Sequence, residues 1–184
     1  MIIIKKYIGL FLFSSFITAC PFLVSADSAA ELDKDVEVAL KRLYANEPLA
    51  VQLAGEAKGI LVFPDVIKAG LIVGGQFGEG ALRVGGKSVG YYNVVQASYG
   101  LQAGAQSFGY AMFFMSDETL AYIDSSDGWE VGVGPTIVAV DKGTAKSFTT
   151  SSAKDEIYVF FFDQKGLMAG MGLAGTKISK INPE

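Results

Sequence analysis

Three segments of this chain share the form G-L-x-[VA]-G: Gly70 to Gly74, Gly100 to Gly104 and Gly166 to Gly170. Each lies among β-branched and aromatic residues that read as strand. Residues four apart in a strand lie on one face, so each segment sets two glycines around one side chain, Ile72, Gln102 or Met168. Glycine weakens a strand interior unless another backbone or a ligand comes close. The recurrence therefore predicts a tightly curved sheet or small barrel with something lying across it. Two occupants fit. One is a helix from residues 28–54, because a half-buried sheet needs a cover. The other is a ligand, an acyl chain or lipid in a shallow apolar groove.

The rest of the mature chain agrees with a helix-covered β domain. Ser28 and Glu31 have capping-box spacing, and Leu32, Val36, Ala39, Leu40 and Leu43 form one apolar helical face. Asn46-Glu47-Pro48 breaks that helix, and a second short amphipathic helix runs from Leu49 to Ala54. From Ala57 on, short apolar strands alternate with turn signals. Strands are expected at Gly59–Phe63, Leu71–Phe77, Ala81–Val84, Ser88–Ala97, Tyr99–Met115, Trp129–Val140 and Ile157–Phe162, with a last Gly-rich strand over Met168–Ile178. Pro64-Asp65, Gly85-Gly86, the Asp124–Gly128 run, Asp141-Lys142-Gly143 and the Asp163–Gly166 run are expected turns. Ser116 caps a short helix through Ile123. The fold class is α+β, mainly antiparallel β.

The amino terminus has the layout of a secretory signal peptide. A basic start with Lys5 and Lys6 precedes an apolar run shorter than the roughly 20 residues of a spanning helix, and Val24-Ser25-Ala26 offers a cleavage site. Residues 1–26 are thus expected to be removed, leaving an exported domain over 27–184 in the periplasm or envelope. Ile17-Thr18-Ala19-Cys20 resembles the lipobox of bacterial lipoproteins. Its use would end the signal at residue 19 and make Cys20 the acylated first residue, anchored at about 0.8 kcal/mol per buried CH2. Pro21 and the apolar Phe22–Val24 favour cleavage after Ala26. With a single Cys, no intrachain disulfide is open to the chain.

Charge and residue inventory narrow the chemistry. Removing Lys5 and Lys6 leaves 15 − 2 = 13 basic residues against 19 acidic, a mature net charge of −6. An acidic chain without basic blocks argues against nucleic acid as a partner. There is no His, which removes the commonest general base and metal ligand. Export without a mature thiol also removes Cys nucleophiles and thiolate metal sites. No Ser occupies a G-x-S-x-G elbow. Gly170 to Gly175 matches G-x-G-x-x-G, but too little chain follows for the helix and acidic residue of a dinucleotide site. Asp124 to Gly128 lacks the alternating ligands and closing Glu of an EF-hand. No catalytic centre, metal site or cofactor is expected. The residues best suited to anionic lipid headgroups are Lys58, Lys68, Arg83 and Lys87, each near a turn in the first half of the sheet. A lysine or arginine at an anionic surface adds about 1 kcal/mol.

Four ordered blocks carry a family resemblance. They are Ala57–Pro64, Val66–Gly80, Tyr99–Gln106 and Asp163–Gly170. Across residues 35–181 they resemble the SYLF domain family, in its bacterial exported, lipid-binding or lipoprotein branch. The resemblance implies a lipid-binding domain that associates with membranes, and carries over no catalytic residue. Eukaryotic members bind phosphoinositide-rich membranes, and some bind actin. Where those proteins usually have a Trp-Ser-x-Pro element, this chain has Gly86-Lys87-Ser88-Val89-Gly90-Tyr91-Tyr92. The expected function is a non-enzymatic lipid-binding protein of the bacterial cell envelope, with an anionic phospholipid surface as partner. The alternative is an envelope scaffold that binds another protein without lipid preference. A hydrolase with an unrecognised Ser or Asp centre is the third reading.

Overall fold

A computed structural model describes residues 28–125, 129–130, 137–140 and 157–183. The expected signal peptide, its cleavage site, Cys20 and the Asp141–Gly143 turn lie outside the described residues, as do parts of the Asp124–Gly128 run and of the Trp129–Val140 strand.

Helix α1 spans Ala29–Asn46 and helix α2 spans Pro48–Glu56. The Ser28 hydroxyl accepts from the Glu31 N–H at 3.3 Å while the Glu31 carboxylate reaches back to the Ser28 N–H, so the capping box forms as its spacing predicts. Pro48 opens α2, where its missing N–H costs nothing. Strand β1 runs over Gly59–Val84 and β2 over Lys87–Phe114. Helix α3 covers Asp117–Ser125, with the Ser116 hydroxyl accepting from the Thr119 N–H at 3.1 Å. Strands β3 (Trp129–Glu130), β4 (Ile137–Val140) and β5 (Ile157–Ile181) complete a five-stranded sheet in the order β1-β2-β5-β3. All pairings are antiparallel except β4 with β5. The sheet is open, so the curved sheet and not the barrel is what the glycines build.

The short strands merge into three long ones. Gly85 and Gly86, at φ 57° and 80°, make the expected two-residue hairpin turn between β1 and β2, a conformation that glycine adopts without strain. The other turn signals inside these strands become irregularities of the ladder. Phe63 pairs with Tyr110 and Val66 with Phe108, so Pro64 and Asp65 sit together in a bulge. The Asp163–Gly166 run likewise stays within β5, with Asp163 at φ 53° and Gly166 at φ 83°. A bulge and a turn draw on the same residues, and the neighbouring strand decides between them.

β1 doubles back about Ile72. A Cβ on Gly70 would lie 2.5 Å from the Cα of Gly74, and one on Gly78 would lie 3.0 Å from the Asp65 carbonyl oxygen. At this crease β1 passes from Leu71 to Val73 while β2 passes from Tyr99 to Ala103. The three G-L-x-[VA]-G segments meet there: Gly70 pairs with Gly104, and Gly104 with Met168. What lies across these glycines is therefore neither helix nor groove but the folded sheet itself.

The helices cover the other end. Leu32, Val36, Ala39 and Leu43 of α1 and Leu49, Ala50 and Leu53 of α2 are buried on Val62, Ala81, Ala111, Phe113, Tyr158 and Phe160. The opposite face buries Leu61, Phe63, Tyr92, Met112, Phe114 and Val159 beside Ile123 of α3. Each fully buried Val, Leu, Ile, Phe or Met side chain contributes about 1.5–3 kcal/mol. Arg42 Nη1 and Asp163 Oδ2, 3.1 Å apart, tie α1 to β5.

Candidate functional site

The end of the sheet beneath the helices holds a groove of about 430 Å³. Its apolar lining comes from Leu40 and Tyr44 of α1, Ala54 of α2, and Ala57 and Ile60 around the start of β1. Lys41, Lys58 and Arg83 bring positive charge to it and Glu37 negative, with Gly85 and Gly86 at the rim. The hairpin explains the meeting of Lys58 and Arg83. β1 leaves the helices at Gly59 and returns at Val84, so residues from its two ends become neighbours.

Local contacts hold the groove together. The Ser88 hydroxyl donates to Asp33 Oδ1 at 2.5 Å, pinning the base of the hairpin to α1. Arg83 Nη2 donates to the Gly86 carbonyl across the turn. Its Nε is buried with no hydrogen-bond partner, an arrangement that costs free energy until an acceptor is supplied. Lys41 lies 2.6 Å from Glu37 one helical turn away, and this hydrogen bond and charge hold the Glu37 carboxyl below its usual range. Burial raises the Tyr44 phenol, with the Arg83 charge opposing it. Tyr91 is also raised, by burial first and then by the charge and hydrogen bond of Asp33. Both phenols therefore stay neutral near pH 7, so the groove's ionic groups are Lys58, Arg83 and the Lys41–Glu37 pair.

The four cations read from the sequence divide. Lys58 and Arg83 share the groove. Lys87 pairs with Val84 at the foot of the same turn and is exposed, outside the lining. Lys68 lies elsewhere, in a second concavity of about 390 Å³ within the bend of the sheet. There it joins Gln76, Gln96, Gln106 and Gln164 above Phe108, Tyr110 and Phe161. Sequence reasoning passed over Lys41 and Tyr44. Their signal is their place beside the half-buried Leu40 and the buried Leu43, on the flank of α1 that faces the returning hairpin. Among the described residues no group of three or more His, Cys, Asp and Glu is placed to hold a metal ion. No helix among them is long and apolar enough to cross a membrane.

No curated protein matches this chain. Residues 95–183 match a family model described as Ysc84, Las17-binding protein actin regulator. The matched stretch takes in most of β2 and all of β5, including two of the three segments that meet at the crease. By this match the chain belongs to the SYLF domain family.

Proposed function

We propose that this chain is a non-enzymatic lipid-binding protein of the bacterial cell envelope and that it contacts anionic lipid headgroups. The observation that supports this most is the convergence of Lys58 and Arg83, beside the Lys41–Glu37 pair, on one apolar-floored groove. The Arg83 Nε is a donor without an acceptor among the described residues, and a phosphate oxygen would satisfy it once the guanidinium turns outward. The floor formed by Leu40, Ala57 and Ile60 suits the first carbons below a headgroup. The surface partner is an anionic phospholipid bilayer, with export through the amino-terminal signal; cleavage after Ala26 frees the domain, and use of the lipobox instead would tether it at Cys20.

Vesicle flotation tests this reading. The full chain carrying Cys20→Ser, which has no site for a thiol-linked acyl group, is compared on anionic and zwitterionic vesicles at low and high salt. Salt-sensitive flotation with anionic vesicles alone is expected. Lys58→Glu and Arg83→Glu should each weaken it by at least about fivefold, since each cation contributes about 1 kcal/mol at the surface. Unchanged binding in both variants at low salt would remove the groove from the headgroup site.

A second reading is favoured by the family description, which names a protein partner. In it the chain is an envelope scaffold with no lipid preference. Its mark is stoichiometric capture of one envelope protein by a chain that ignores vesicles.

A further inference from the structure

The sheet is inside out at the crease. On either side of Ile72, the odd-numbered residues of β1 point outward and the even-numbered ones inward. The outward set is apolar, and Ile67, Leu71 and Val73 are 58, 74 and 65 % exposed. Val95 and Tyr99 of β2 and Leu167 of β5 continue this convex face, with Leu167 88 % exposed. The inward set holds Lys68, Gln76, Gln96 and Gln106, which line the polar concavity. In water, a sheet with one solvated face turns its apolar side chains inward. Apolar outside and polar inside is the pattern of strands that meet lipid.

We infer that this convex crease inserts into the outer part of an anionic bilayer. The inference takes from the preceding reading only the class of partner. The site is different, because the crease lies at the middle of β1 and the groove where its two ends meet. Charge selects a bilayer over a second copy of the chain. Residues 66–78, 94–107 and 164–177, which form the crease, contain Lys68, Lys165 and Lys177 and neither Asp nor Glu, whereas the whole chain has a net charge of −4. Lys165 and Lys177 are exposed. Two creases brought face to face would oppose like charges, while anionic lipid supplies the opposite sign. Tyr99, 69 % exposed, has the amphipathic ring favoured at the membrane interface.

The geometry limits the depth. From Phe77 to Ile72 the strand advances roughly 16 Å, about half of a hydrocarbon core of about 30 Å. β1 is also an edge strand, and backbone groups on an open edge are costly in hydrocarbon. The crease therefore enters one leaflet and does not span the bilayer.

Single-tryptophan variants test this in the full chain carrying Cys20→Ser and Trp129→Phe. Leu71→Trp and Leu167→Trp report on the crease, and Val51→Trp on exposed α2 is the reference. The probe is vesicles of phosphatidylglycerol and phosphatidylcholine with bromine on the upper or the lower part of the acyl chains. Blue-shifted emission is expected at positions 71 and 167, with at least twofold stronger quenching by upper-chain bromine than at position 51. Leu71→Asn combined with Leu167→Gln, both at exposed positions, should weaken vesicle binding at high salt at least tenfold. Co-flotation without quenching at 71 or 167 would overturn insertion and leave headgroup binding standing. No flotation under any condition would overturn both. A concentration-dependent blue shift without vesicles, together with a dimer in sedimentation, would assign the crease to a second copy instead.

Discussion

Gly80 lies so close to the carbonyl oxygen of Val62, in the same strand, that a Cβ has no room there. The neighbour is backbone and cannot rotate away, so this contact, with those at Gly70 and Gly78, limits how tightly β1 folds on itself. Gly80→Ala should destabilise the domain by about 3 kcal/mol or more, at the upper end for overpacked sites. Gly75→Ala is the matched control. Its added Cβ would meet only the Gln96 carbonyl oxygen at 3.8 Å, and its effect should stay within about 0.5 kcal/mol. Urea unfolding midpoints of the two variants check the difference, and equal midpoints would remove the backbone contact as its cause.

Ile72 has φ 68°, a left-handed conformation that costs an L residue about 1–2 kcal/mol, and it is 52 % exposed. Glycine relieves that cost but adds about 0.5–1 kcal/mol of unfolded-state entropy. Ile72→Gly should therefore leave stability unchanged or raise it by up to about 1.5 kcal/mol. The same change at Leu71, which carries no such strain, should destabilise by about 0.5–1 kcal/mol. Strain kept at an exposed apolar corner fits a residue whose side chain is wanted there. The comparison to make is thermal unfolding beside vesicle binding. Ile72→Gly should separate the two by weakening binding without loss of stability.

Tyr110 is 8 % exposed, stacked at 5.8 Å on Phe63, and burial pushes its phenol up to about 12. An unfolded Tyr ionises near 10. Between these values the unfolded chain has lost a proton that the folded chain keeps, so its stabilising contribution is complete below pH 10 and is lost as pH rises toward 12. Two pH units correspond to about 2.7 kcal/mol as an order of magnitude. Tyr44 and Tyr91 act in the same direction. Tyr110→Phe should flatten the fall in stability between pH 10 and 12 as measured by urea titration. An undiminished slope would mean that other groups carry it.

Much of the fold could be read from local chemistry, because its signals act over one turn. The Ser28–Glu31 capping box, Pro48 at the start of α2, Gly85-Gly86 and the Ser116 cap each satisfy neighbouring backbone groups. Pro64-Asp65 and Asp163–Gly166 were misjudged as strand ends because a bulge has the same local chemistry as a turn. Only β2, running past both, keeps the chain extended. The alternation through Ile67, Lys68, Gln76 and Phe77 is visible in the sequence, but periodicity cannot say which face turns inward. That is decided by the doubling of β1. The same doubling brings Lys58 to Arg83 and carries Lys68 away from both, so four cations alike in sequence occupy different surroundings.

The groove lies where the two ends of β1 meet and the crease at its middle, separated by roughly 35–40 Å from Gly59 to Leu71 at strand rise. Residues that far apart with no shared partner contribute additively to free energy. Lys58→Glu with Arg83→Glu, and Leu71→Asn with Leu167→Gln, should therefore weaken vesicle binding by factors that multiply in the fourfold variant. Their salt responses should differ as well. The Debye length is about 30 Å at 0.01 M salt and about 3 Å at 1 M, so high salt screens the contribution of Lys58 and Arg83. It leaves the apolar contribution of Leu71 and Leu167 in place. Flotation isotherms at the two salt concentrations should show the charge-reversal variant converging on the unsubstituted chain at high salt, while the crease variant stays weaker at both. If the crease variant also converged at high salt, binding would be electrostatic at both ends and the apolar face would have no part in it.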